Sequence, residues 1–321
     1  MAIKNTSGQA TAMSDQAASF LEKTPALKLP SWLFPAMTTA SMINRFRKQL
    51  QDQEEKIEQA LVDNRKLRLE ADTIAGVPVV NVVPPAITPG LEDTVVLNIH
   101  GGAFVMGTAR ERTALLVASE LGVRVCSVDY TLSPEAPYPT ALNECLTVYE
   151  HLLTQYGPSR IAGTSSSSGG SLMLAMLHRI HAQDLPMMAA TALFTPAADI
   201  SGTGDSMVAN RGRDVLHPGM AQALTRHYVA DNDPRDPLIS PLYGDFHSTY
   251  PPTIITTGTR DILASGSVRL YWKLRAAGVP AELRIGEGMW HGFNWEPELP
   301  EALLVRRDVT DFLAHRLGAR D

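Results

Sequence analysis

Asp93-Thr94-Val95-Val96-Leu97-Asn98-Ile99-His100-Gly101-Gly102-Ala103-Phe104 passes from an apolar run straight into two glycines. Thr94–His100 has the length and the β-branched content of a strand buried on both faces. His100-Gly101-Gly102-Ala103 then strips side chains from the main chain. Glycine is needed where another atom must approach the backbone closely. Bare N–H groups at the end of a strand are suited to holding a developing oxyanion. Further along, Ser165-Ser166-Ser167-Ser168-Gly169-Gly170 places serines in a glycine-flanked turn between a short strand and a helix. Such a turn lifts one hydroxyl clear of a sheet and sets a helix N-terminus behind it. The two stretches are the complementary halves of an acyl-transfer site.

Working outward, strand and helix patterns alternate. Strands are expected at 67–71, 77–83, 94–100, 123–129, 160–163, 189–194, 253–257 and 281–285. Helices are expected at 38–69, 111–121, 140–156, 169–182, 264–277 and 301–317. This alternation predicts an α/β fold, with a mostly parallel sheet covered by helices on both faces. The two early strands suggest an antiparallel edge. Residues 199–235 lose the alternation and read as an inserted helical piece, while residues 1 to about 30 are polar and read as partly mobile.

Composition narrows the classes. A chain of 321 residues with 44% hydrophobic and 19% charged residues carries an ordinary core. A net charge of −6 argues against a nucleic-acid surface. No apolar run approaches the ~20 residues of a membrane span, and Met1–Lys23 lacks the apolar core of a signal peptide. The expectation is a cytoplasmic protein with two buried thiols, Cys126 and Cys145.

The register of the serine run needs an argument, because the pattern G-x-S-x-G fits nowhere in full. Ser167 is preferred: Gly169, two residues later, lets the helix start close to the strand, and the strand ending near Thr164 needs a residue or two to turn. The competing reading is a serine-rich helix cap. A phosphate-binding loop fails because no lysine follows Gly169-Gly170. A serine nucleophile needs a base, and the base needs an orienting carboxylate. Asp261 follows the strand at 253–257, and His291 lies in Gly288-Met289-Trp290-His291-Gly292-Phe293 after the last strand. Ligand chemistry in open parallel sheets gathers at that edge. The chain order serine, aspartate, histidine is that of one hydrolase architecture.

Four blocks resemble the hormone-sensitive-lipase-like branch of the α/β-hydrolases, the bacterial family IV esterases, over roughly residues 75–315. They are His100-Gly101-Gly102-Ala103-Phe104; Asp129-Tyr130-Thr131-Leu132-Ser133-Pro134-Glu135-Ala136-Pro137-Tyr138-Pro139; the stretch from Gly157 to Gly170; and the acid and base blocks around Asp261 and His291. The third lines up without a gap on a family stretch ending G-D-S-A-G-G, which independently selects Ser167. The resemblance implies an α/β-hydrolase core at 66–198 and 236–321, with a helical cap from residues 1–65 and 199–235. It implies hydrolysis of short-to-medium acyl esters with catalytic Ser167, Asp261 and His291, and an oxyanion hole drawn from the amides of Gly101, Gly102, Ala103 and Ser168. It also implies a small-molecule ester substrate, no cofactor and no metal, and it is compatible with a homodimer. Trp32, Phe34, Met37 and Met42 of the cap, with Phe104, are expected to line the substrate pocket. His100, Asp129 and Glu135 are expected to brace loops.

Two departures stand out. The family's Gly-Asp before the nucleophile is here Ser165-Ser166, which predicts a wider or shifted turn and removes a carboxylate. Two other functions remain compatible with the motifs. A lactone or amide hydrolase would use the same residues. A non-catalytic receptor on this fold would dispense with the histidine that is present here.

Overall fold

The computed structural model describes residues 11–24 and 29–319. The readings made on residues 1–10 and on Pro25 lie outside them. The helices are α1 (Asp15–Lys23), α2 (Phe34–Met37), α3 (Ala40–Arg65), α4 (Arg112–Leu121), α5 (Thr140–Tyr156), α6 (Ser168–Ala182), α7 (Ser206–Ala209), α8 (Pro218–Val229), α9 (Ala264–Ala276) and α10 (Pro300–Leu317). The strands are β1 (Arg68–Ile74), β2 (Val77–Val83), β3 (Val95–Ile99), β4 (Arg124–Val128), β5 (Ile161–Ser166), β6 (Ala190–Phe194), β7 (Thr253–Gly258) and β8 (Ala281–Gly286).

The eight strands form one sheet in the order β1-β2-β4-β3-β5-β6-β7-β8. The pairs β1–β2 and β2–β4 are antiparallel, and all later pairs are parallel. The expected strands and the antiparallel edge are therefore all present. Every residue of β3, β5, β6 and β7 is buried, which is why those strands read as unbroken runs and not as alternations. One face packs on α5, α6 and α9 through Leu142, Tyr149, Leu172, Met176 and Leu270. The other packs on α4, α10 and the end of α3 through Leu115, Leu121, Val309, Leu313 and Leu61.

From β3 the chain steps to one side to form β4, then returns past β3 to form β5. That reversal opens a crevice at the C-terminal ends of β3 and β5, where ligands bind in such sheets. The loops after β3, β5, β7 and β8 all emerge at this edge.

One N-terminal expectation, the mobility of residues 1 to about 30, is corrected for the part described. Helix α1 is docked: Phe20 stacks on Trp290 at 4.2 Å with planes 4° apart, and Ala17 and Leu21 pack among Met289, Phe293 and Leu299. Ser14 caps α1 and also bonds the Glu301 carboxylate through its N–H (2.6 Å) and its hydroxyl (2.8 Å). Segment 199–235 contributes α7 and α8, and the N-terminal part leans on it. Phe34 meets the His217 ring at 4.7 Å, and His227 Nε2 donates to Thr38 O at 2.5 Å. Among the described residues no helix is long and apolar enough to cross a membrane. Cys126 and Cys145 are both free and buried.

Candidate active site

Ser167 sits between the last residue of β5 and the first of α6, with φ 50° and ψ −120°. Positive φ is costly for a residue with a Cβ and persists only where the surroundings hold it. Here the Ser167 N–H donates to Phe194 O (3.0 Å), and its carbonyl accepts from Gly170 N (2.9 Å) and Ala197 N (2.8 Å). The glycines are required by contact. A Cβ on Gly169 would lie 2.1 Å from Ile99 O, and one on Gly170 would lie 2.6 Å from the Pro196 side chain. The turn is tight, with Gly169 and Gly170 pressed on the neighbouring backbone and Pro196, even though Ser165 occupies the position expected to need a glycine. Ser165 is accommodated as a fully buried strand residue.

The structure brings the three expected side chains together. Ser167 Oγ lies 2.9 Å from His291 Nε2, and His291 Nδ1 lies 3.0 Å from Asp261 Oδ1. Because a carboxylate only accepts, Nδ1 carries the proton and Nε2 faces the hydroxyl as an acceptor. Asp261 is itself fixed: Oδ2 accepts from the Thr257 hydroxyl (2.9 Å) and Oδ1 from Leu263 N (2.8 Å). The loop of His291 approaches β7 so closely that a Cβ on Gly258 would meet Met289 O at 2.1 Å.

A residue that sequence reasoning missed joins these loops. Asp214 is buried, and Oδ1 accepts from the N–H of His291 (2.9 Å) and of Val215 (2.7 Å). Its Oδ2 accepts from Ile262 N (2.8 Å). Burial, with the Asp261 charge beside it, pushes the Asp214 carboxyl up to about 7. Burial alone would depress His291. The charge and hydrogen bond of Asp261, helped by Asp214, outweigh it and leave the imidazole above its ordinary value. Asp236 and Glu287, acids near the same edge in sequence, make no contact with the imidazole; Glu287 is exposed. Asp214 lies in a stretch without periodicity, so no sequence signal pointed to it.

The loop after β3 carries three successive positive φ values, at Gly102 (109°), Ala103 (54°) and Phe104 (64°). The amides of Gly102 and Ala103 have no hydrogen-bond partner among the described residues. The Ser168 amide, first in α6, has none within its helix. Gly101 departs from expectation. Its N–H donates to Glu111 Oε1 at 2.8 Å, so it is committed and is not a free donor. His100 braces the loop: its buried ring stacks on Tyr130 at 4.1 Å and Nδ1 donates to Gly101 O at 2.7 Å. Asp129 Oδ1 accepts from Ala109 N (3.0 Å). Glu135 is held at both oxygens by Arg47 of α3, 3.0 Å each, and the Arg47 hydrogen bond keeps its carboxyl below the usual range.

A cavity of about 430 Å³ runs beside this loop, bounded by Gly101, Gly102, Met106, Trp295 and, from α3, Leu50 and Glu54. The expected pocket residues are placed elsewhere. Trp32 is 75% exposed, and Met37 and Met42 are partly exposed. Phe34 is fully buried against α8, and Phe104 is buried with its ring stacked on Tyr228 at 3.9 Å. The N-terminal segment does reach the cavity, but through α3. The apolarity of residues 32–37 reflects their docking, with Phe34 as the buried anchor. His178 is occupied by Tyr250 and Pro241, and His181 stacks on His247. Among the described residues no group of three His, Cys, Asp or Glu is placed to hold a metal.

Known proteins share this fold. A family model described as alpha/beta hydrolase fold matches residues 96–294. An esterase of Acinetobacter venetianus is 35% identical over 226 residues, covering 68% of this chain and 73% of that protein. The crystal structure of an esterase superposes with a TM-score of 0.90 at 35% identity, covering 97% of each chain. An esterase from the bacterial hormone-sensitive lipase family superposes with a TM-score of 0.80 at 27% identity, covering 98% of this chain and 100% of that one. With this sheet, this turn and these relatives, the chain belongs to the α/β-hydrolase fold family, in its hormone-sensitive-lipase-like branch.

Proposed function

We propose that this protein is a serine carboxylesterase working through an acyl-enzyme. The observation that carries the reading is the continuous line Ser167 Oγ, His291, Asp261, with links of 2.9 and 3.0 Å. Ser167 attacks the acyl carbonyl while His291 Nε2 takes its proton, and Asp261 holds the ring and stabilises the imidazolium. The amides of Gly102, Ala103 and Ser168 receive the oxyanion. The imidazolium then returns the proton to the leaving alcohol, and water, activated by the same histidine, releases the acid. The positive-φ run at 102–104 supports this role, since it aims main-chain donors where side chains are absent.

The cavity beside the loop takes the acyl or the alcohol part of a short-to-medium ester. Helix α3, with α2 and α8, forms the cap. The Arg47–Glu135 pair and the Phe34–His217 contact support treating these segments as one cover. The test is turnover of p-nitrophenyl esters of increasing acyl length, and of lactones, by wild type and Ser167→Ala. The account expects wild-type turnover that falls with longer chains, and a loss of roughly 10⁴ to 10⁶ in kcat for the variant. Absence of turnover on every ester and lactone would instead fit a receptor.

A further inference from the structure

Two serines that flank the nucleophile, Ser166 and Ser168, both contact the loop after β3. The Ser166 hydroxyl donates to Glu111 Oε1, the same oxygen that accepts from Gly101 N. At the other end of the loop, the Ser168 hydroxyl accepts from Phe104 N at 3.3 Å. Between these two ties lies the positive-φ run from Gly102 to Phe104. The loop is pressed against the turn: a Cβ on Gly101 would meet Ser166 Oγ at 3.0 Å and Ser167 Cβ at 3.1 Å.

Glu111 stands at the N-cap of α4 yet makes no side-chain cap bond there. Its Oε1 is bonded to the loop and the turn instead. We infer that Glu111 is a positioning residue for the reaction at Ser167. It supplies from a separate helix the carboxylate that the turn lacks at 166, and it clamps the start of the oxyanion loop against the nucleophile. The inference rests on the reading of Ser167 as nucleophile and of loop 101–104 as oxyanion site. Burial pushes the Glu111 carboxyl above the usual range, in keeping with an acceptor used structurally where the loop meets the wall of the cavity. Without the clamp, Gly101 N–H and the Ser166 hydroxyl would be left buried and unpaired. The loop would then regain freedom at the place where the transition state needs fixed donors.

The test compares the full chain with Glu111→Ala, Glu111→Gln and the double variant Glu111→Ala/Ser166→Asp. Active sites are titrated with a p-nitrophenyl phosphonate, and acylation by p-nitrophenyl acetate is followed before steady state. Glu111→Ala should lower the acylation rate per titrated site roughly 10- to 10²-fold, with KM within about threefold. Glu111→Gln, which keeps an acceptor oxygen, should retain most of the rate. The double variant, which returns a carboxylate from the turn, should regain roughly tenfold over Glu111→Ala. Three results would overturn the inference. One is a per-site rate in Glu111→Ala equal to wild type, with any loss confined to the titratable fraction. Another is Glu111→Gln as slow as Glu111→Ala. The third is a folded double variant no faster than the single one. If Glu111→Ala does not accumulate as folded protein, Glu111→Gln and the double variant are compared with wild type, and a Gln variant more than about tenfold slower per titrated site than wild type overturns the inference. Ser167→Ala runs beside them: full activity there would fail the reading of the site, whereas an inert Ser167→Ala with a normal Glu111→Ala fails only this inference.

Discussion

Gly169→Ala should break the site by moving its backbone, with no catalytic group altered. The added Cβ would lie 2.1 Å from Ile99 O, 2.6 Å from His100 O and 2.9 Å from Ile99 C. All three are backbone atoms of the strand end and loop that carry the oxyanion donors, so no side chain can swing aside. Ordinary contact begins near 3.4 Å, so α6 must retreat from β3 by more than an ångström, or the turn must rotate. Either response shifts the Ser168 amide and Ser167 against Gly102 and Ala103. A misplacement of about 1 Å costs on the order of 10² in rate, and overpacking of this kind costs about 1–3 kcal/mol of stability. Gly266→Ala is the matched control. It lies in α9, its added Cβ meets no atom within 4 Å, and it should be neutral or gain up to about 1 kcal/mol. Thermal melting and kcat/KM on p-nitrophenyl esters, corrected for titrated sites, read both effects. A Gly169→Ala enzyme within threefold of wild-type kcat/KM and with an unchanged Tm would refute the argument.

Asp261→Asn should fold and bind substrate yet lose roughly 10⁴ in kcat, because the amide favours the wrong imidazole tautomer. If more activity survives, adding Asp214→Asn should remove it, whereas Asp236→Asn and Glu287→Gln should not. In the proposed mechanism His291 is a neutral base, and its environment raises it above 6.5, so the acid limb of kcat/KM should fall above pH 6.5. Asp214→Asn should move that limb down, and a wild-type limb below 6.5 would contradict the electrostatics. Asp214 holds its proton in the folded state from its ordinary 3.8 up to about 7. Its contribution to stability is therefore full below that window and lost as pH rises through it, so Asp214→Asn should flatten the fall in Tm between about pH 4 and 7. Phe20→Ala removes the ring stacked on Trp290, the neighbour of His291, and should cost about 1–3 kcal/mol together with a drop in kcat. A variant unchanged in both would make α1 a bystander.

The central strands β3, β6 and β7 were legible because burial on both faces writes them as short apolar runs. Asp261 and His291 were legible because each follows a strand at the edge where chemistry gathers. Ser167 was legible through Gly169, whose need is a contact with Ile99 O. Helix α1 was missed because its polar residues hide a narrow stripe, Ala17, Phe20 and Leu21, behind the Ser14 cap. That spacing is one helix face, and it was readable. Glu111 was not, since a sequence does not say that an N-cap side chain turns away from its own helix. The missing carboxylate at 166 was the only hint that another had to arrive. Gly101 fails as a donor for the same reason. Apolar residues at 32–37 announced that something there is buried, but only three-dimensional packing separates Phe34, sealed against α8, from Trp32, left in the open.

The central claim is that Ser167, among four consecutive serines, is the nucleophile. Labelling with a fluorophosphonate tests it directly. Trypsin releases Ile161–Arg179, which contains the whole run, and fragment ions distinguish its serines. The account predicts one adduct on Ser167, absent from Ser167→Ala and retained in Ser165→Ala. An adduct on Ser165, or on any other serine of that peptide, would contradict it.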